Sequence, residues 1–121
     1  MTPFGVRVRA LRQERGVTLT AMAEAIGVSP AYLSALELGK RGRPSWYLIQ
    51  RIIAFLGIIW DDAEDLTKLA EISHPKVTID TSGLSPRATE LANLLSRRIA
   101  VLSEEELAEL LYLLKSKLPG R

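Results

Sequence analysis

Cysteine is absent from the sequence, which excludes disulfides, thiolate-held metals and cysteine nucleophiles. Histidine occurs once, at His74, so a site built from several histidines is excluded too. Nothing calls for a metal or another cofactor. Long apolar runs are also missing. The longest, Ile52 to Trp60, is bounded by Arg51 and Asp61 and falls well short of the roughly 20 residues that a membrane-spanning helix needs. The first residues carry arginines but no apolar core of the kind that directs export. The expected setting is the cytoplasm, with no membrane partner. What remains is ordinary for a folded chain: 47% hydrophobic and 25% charged residues. A length of 121 residues suits one compact domain, or one small domain with an appendage.

Negative charge is scarce in the first half. Residues 1–60 hold eight Arg or Lys against three Glu, a net of +5, whereas residues 61–121 hold eight against eleven Asp or Glu, a net of −3. A basic half joined to an acidic half suggests that only the first faces a polyanion.

Period-two alternation is missing up to Ile72, and the pattern is helical. Phe4, Val8 and Leu11 fall on one face of a first helix that follows Pro3 and stops near Arg15, before Gly16. Thr18 is the N-cap of a second helix, Leu19 to Ile26, closed by Gly27. Ser29-Pro30 opens a third that ends near Leu38. A fourth runs from Trp46 to Leu56, and a fifth from the acidic pair Asp61-Asp62 to about Glu71. Ser73 to Leu84 reads as a linker or one short strand, because Val77 and Ile79 alternate with Thr78 and Asp80. Ser85-Pro86 opens a sixth helix, to about Ala100. Ser103 to Glu106 is a capping box that opens a seventh, to about Lys117. The expected class is all-α, with a five-helix domain over 1–72, a connector over 73–84 and a two-helix extension over 85–121.

The stretch from Arg15 to Lys40 carries the functional signal. Two short helices joined by a tight turn cross steeply. Ala23 is small enough for close approach, and Gly27 permits the turn's backbone. Met22, Ile26, Val28, Leu33 and Leu36 supply the facing apolar contacts. Pro30, Ala31, Tyr32, Ser34 and Ala35 are left as the outward surface of the third helix, shaped to enter a major groove.

From Gly16 to Ser45 the array Gly-apolar-Thr, Ala-Glu, apolar-Gly-Val-Ser, apolar-Ser-x-apolar-Glu-x-Gly and Pro-Ser resembles the Xre/Cro-like helix-turn-helix family of bacterial and phage regulators. The resemblance covers residues 3–70 and implies a five-helix, lambda-repressor-like fold that binds double-stranded DNA to regulate transcription. It implies a structural ion pair between Arg12 and Glu37. It places Thr18, Leu19, Thr20 and Ser29 near phosphates, and Pro30, Ala31, Tyr32, Ser34 and Ala35 near base edges. Lys40, Arg41 and Arg43 fall in the loop that runs along the backbone. Leu19 departs from the family's frequent glutamine and puts its phosphate contact in doubt, a role that Thr18, Thr20 and the helix-start amides can fill.

Other residues have plainer readings. The basic loop could be only solvated. Tyr32 could pack against the fourth helix. Trp46 and Tyr47 are expected in the core or a subunit contact, Trp60 as a core anchor, His74 as a linker residue, and Arg9 and Arg15 on the surface without a role. The carboxylates Asp61, Asp62, Glu64 and Asp65 look like helix-start charges, with no nucleophile–base pair or phosphate loop beside them, so no enzyme is expected.

The last two helices carry leucine stripes: Leu91, Leu94, Leu95 and Ile99, then Leu107, Leu110, Leu111, Leu114 and Leu118. Burying each leucine is worth roughly 1.5–3 kcal/mol. They either fold back on the first domain or pair with a second copy, and a homodimer held by Leu91, Leu95, Leu107, Leu110, Leu111, Leu114 and Leu118 is the favoured expectation. The alternative is an antitoxin or adaptor whose residues 85–121 bind another protein.

Overall fold

The computed structural model describes residues 1–40 and 44–118. Its described residues form helices α1 (Pro3–Glu14), α2 (Leu19–Ile26), α3 (Pro30–Glu37), α4 (Trp46–Leu56), α5 (Trp60–Glu71), α6 (Pro86–Arg98) and α7 (Glu104–Ser116), with a 3-10 turn at Ile99–Val101. No strand occurs among them, so the alternation around Val77 and Ile79 forms a connector. The chain divides into two compact units, Met1–Val77 and Thr78–Arg121. Among the described residues no single helix is long and apolar enough to cross a membrane.

The first unit has one core, to which each of its five helices contributes. Phe4, Val8 and Leu11 come from α1, Met22, Ala23 and Ile26 from α2, and Leu33 and Leu36 from α3. Leu48, Ile49, Ile52 and Leu56 come from α4, and Leu66 and Ala70 from α5. Helix starts follow cap chemistry. The side-chain oxygens of Thr2, Thr18, Ser29 and Ser45 each accept a backbone N–H three residues on, which satisfies an amide the helix leaves open.

Helix α5 starts differently. Its N-cap Ile59 makes no side-chain hydrogen bond, and Trp60 adopts a left-handed backbone with φ 55°. Trp60 is 81% exposed, contrary to the expected core anchor; Ile58, Leu66 and Ala70 are buried in its stead. Ser73, two residues beyond the end of α5, is buried. Its Oγ accepts from the Phe4 N–H at 2.9 Å and donates to the Leu69 carbonyl. One hydroxyl thus closes the end of α5 onto the start of α1, and the connector begins after it. His74 is exposed, with Nδ1 accepting from the Lys76 N–H.

Gly5 marks the tightest passage. It lies buried in α1, and a Cβ there would come within 2.3 Å of the Glu37 carbonyl oxygen and 2.8 Å of that of Leu36. Both obstacles are backbone at the end of α3, so neither can swing aside. Gly5→Ala would favour the isolated helix by about 1 kcal/mol, yet it is expected to lower stability by about 2 kcal/mol or more through overpacking. A urea melt of the variant checks this; unchanged or raised stability would show that α1 and α3 can move apart.

The second unit is opened by turn chemistry. Asp80 Oδ1 accepts from the Ser82 N–H at 2.9 Å, and hydrogen bonding from the Ser82 side chain, then from its backbone N–H, holds the Asp80 carboxyl below the usual range. Thr89 donates to Thr81 at 2.9 Å. Ser103 and Glu106 form both bonds of the capping box, at 3.1 and 2.9 Å. Despite these well-formed ends, none of the described residues of α6, the 3-10 turn or α7 is buried. Leu95 and Leu107 are half-buried, whereas Leu91, Leu110, Leu111, Leu114 and Leu118 are exposed.

Candidate nucleic-acid interface

Helices α2 and α3 meet at 108°. Gly27 makes the bend, with φ 79° in the left-handed region, where any residue with a Cβ is strained. Ala23 is fully buried beside the turn. Val28 packs half-buried against the core. These contacts make the two helices a rigid elbow and leave one side of α3 facing away from the core.

A buried ion pair fixes the elbow to α1. Arg12 Nε donates to Glu37 Oε2 at 2.9 Å, Nη2 to Oε1 at 3.1 Å, and Nη1 to the Val17 carbonyl at 3.0 Å. The Glu37 side chain is only 4% exposed. The hydrogen bond to Glu37, with its charge, raises the Arg12 pKa above its ordinary value. One guanidinium therefore ties the end of α1, the turn into α2 and the end of α3 together.

The outward side of α3 is mostly small and apolar, with Tyr32 and Ser34 as its hydroxyl-bearing residues. Pro30 and Ala31 are exposed, and Ser34 and Ala35 half-buried. Tyr32 is half-buried and packs in part against the core. Leu38, one turn beyond Ser34, is 39% exposed and belongs to the same face; the spacing 31, 34, 38 is the signal that reveals it. Thr18, Thr20, Ser29 and Lys40 are exposed. The hydroxyls of Thr18 and Ser29 accept helix-start amides, which leaves each hydroxyl proton to donate outward. Leu19 is half-buried against the core, in keeping with an apolar side chain that has nothing to offer a phosphate. Arg41 and Arg43 lie outside the described residues.

For Trp60 the expected core position is overturned, and for Trp46 and Tyr47 the core is excluded, which leaves the other expected place, a subunit contact. Trp46 and Tyr47 join Trp60 on the surface, at 61% and 72% exposure, and are not in the core. Their place in α4 explains it, since Leu48, Ile49, Ile52 and Leu56 take the buried face and helical geometry turns positions 46 and 47 away from it. Arg15 also has a role: Nε donates to the Leu56 carbonyl at 2.7 Å, which caps α4, and Nη1 to that of Leu11. No local pattern signals a partner 41 residues away.

Residues 3–66, just over half the chain, match the family described as helix-turn-helix domain. The chain belongs to this helix-turn-helix family. Among its relatives, the HTH-type transcriptional repressor RghR of Bacillus subtilis (strain 168) is 41% identical over 61 residues, covering 50% of this chain and 45% of that protein. RghRB of the same organism, an HTH-type transcriptional regulator, is 37% identical over 62 residues, covering 51% and 45%. The HTH-type transcriptional regulator SinR is 33% identical over 55 residues, covering 46% and 50%. The chain spans about half the length of the curated relatives it matches. A chain of a SinR protein/SinI protein complex superposes with a TM-score of 0.46 at 23% identity, over 94% of this chain and 96% of that one.

Proposed function

We propose that this helix-turn-helix chain is a sequence-specific, double-stranded DNA-binding transcriptional regulator, acting as a homodimeric repressor or autoregulator. The observation that carries the reading is the rigid 108° elbow, which holds an uncovered α3 face clear of the core within a matched helix-turn-helix domain. Thr18, Thr20 and Ser29 present hydroxyls, and Lys40, Arg41 and Arg43 present cations, to the phosphates. Pro30, Ala31, Tyr32, Ser34 and Ala35 face the base edges.

This face has no amide or guanidinium, so direct readout leans on contacts with thymine methyl groups, on the Ser34 hydroxyl and on whatever Tyr32 reaches. Selection from a random duplex library tests it. The wild-type protein is expected to enrich a thymine-containing motif. Ser34→Arg is expected to enrich a different one, with guanine opposite position 34, while total DNA binding changes less. If both proteins enrich the same motif, α3 does not face the bases.

The uncovered leucines of α6 and α7 favour association through the second unit. In the leading reading a second copy covers them. They also fit a foreign helix, as in an antitoxin or adaptor; a chain that stays monomeric until a stoichiometric protein partner is added would establish that second reading.

A further inference from the structure

We propose that Trp46 and Tyr47 form a second contact with duplex DNA, packing against the sugar–phosphate backbone beside the segment read by α3; this rests on the DNA-binding reading above. The two rings stand edge to face, with centroids 5.2 Å apart and planes at 86°, a favourable aromatic arrangement. Their backbone is held in place, since Pro44 before them is buried and Ser45 caps α4 through the Leu48 N–H. They expose apolar ring surface tipped with an indole N–H and a phenol O–H, groups suited to a sugar edge and a phosphate oxygen.

Charge selects the occupant. From Leu38 to Trp60 the chain has no Asp or Glu and four cations, Lys40, Arg41, Arg43 and Arg51. The outward side of α4 continues from the ring pair through Gln50 to Arg51, whose guanidinium lies 3.8 Å from where a side chain on Gly27 would begin. The α4 face is therefore continuous with the helix-turn-helix elbow, and its polar groups include no carboxylate to repel a phosphate. Trp60 provides an internal contrast. It is the more exposed indole, but Asp61 and Asp62 follow it in the first turn of α5, a setting that opposes a polyanion.

The test uses the full chain and its two tryptophans. In Trp60→Phe, the emission of Trp46 is expected to change as a selected duplex is titrated in. In Trp46→Phe, the emission of Trp60 is expected to stay constant. Trp46→Ala with Tyr47→Ala is expected to weaken binding about ten- to hundredfold, the effect of losing one or two hydrogen bonds to charged groups. The loss is expected to be equal for selected and random duplexes, with the salt slope unchanged because neutral side chains displace no counterions. Both residues are exposed, so the melting curve is expected to match wild type. Unaltered affinity, or constant Trp46 emission at saturating duplex, overturns the inference while leaving the DNA-binding reading intact. A Trp46 change on concentrating the protein without DNA assigns the pair to a second copy instead. A loss confined to some sequences assigns it to base readout, which also overturns a backbone contact. A wild-type chain that binds no duplex overturns both readings at once.

Discussion

Replacing Arg12 by alanine is expected to destabilise the first unit by about 3–5 kcal/mol, the usual consequence of leaving a buried carboxylate without its partner. The magnitude follows from burial. Glu37 is 4% exposed at its side chain and Arg12 12%, so water cannot take over the missing donors. The variant also loses the bond to the Val17 carbonyl, which holds the turn into α2. For a domain of this size the loss lowers the melting temperature by more than about 10 °C. Arg12→Lys restores the charge but not the two-pronged geometry and is expected to fall between the two proteins. Combining Arg12→Ala with Glu37→Leu is expected to recover most of the loss, because no charge is then left buried. A thermal melt of the four proteins decides it. A loss below about 1 kcal/mol for Arg12→Ala would mark the pair as a surface contact of small worth.

The legible parts of this fold are those set by local chemistry. Ser29-Pro30, Ser85-Pro86 and Ser103 to Glu106 announce helix starts because the cap and the amides it satisfies lie within four residues. Phe4, Val8 and Leu11 announce a buried face because 3.6-residue periodicity is local too. The same reasoning misplaced Trp60, which size and hydrophobicity assigned to the core but which sits at a helix start with a left-handed backbone. Of the two places expected for Trp46 and Tyr47, the core is closed because aliphatic residues take the buried positions of α4, which leaves a contact with another molecule. Arg15 and Ser73 were missed for another reason. Their partners, Leu56 and Phe4, are 41 and 69 residues away, and no periodicity reports a contact at that range. Gly5 resembles a flaw in a helix until the α3 backbone is seen lying against it.

The largest functional effect is expected from the second unit. If α3 reads DNA as proposed, a face with only the Tyr32 and Ser34 hydroxyls among mostly apolar groups is expected to bind a single half-site weakly. Two linked copies read a site twice as long, with half-sites about one helical turn apart. Linkage turns the second contact into an intramolecular event and can raise affinity by roughly 10²–10⁴. Leu107, Leu110, Leu111, Leu114 and Leu118 share one face of α7 and its continuation at three- and four-residue spacing, and both helices have well-formed starts. Leu114 is 63% exposed and Leu110 44%, which suits an apolar surface awaiting a cover. Leu110→Glu with Leu114→Glu would force two charges into a dry contact. The variant is expected to be monomeric by light scattering and to lose about two orders of magnitude or more in operator affinity. Weak non-specific binding is expected to remain, since the basic first unit is untouched. A chain shortened to residues 1–77 is expected to behave alike; it must keep Ser73, whose hydroxyl closes α5 onto α1. A shortened chain that is still dimeric, or a monomer that holds its operator as tightly as the intact protein, would refute this division of labour between the two units.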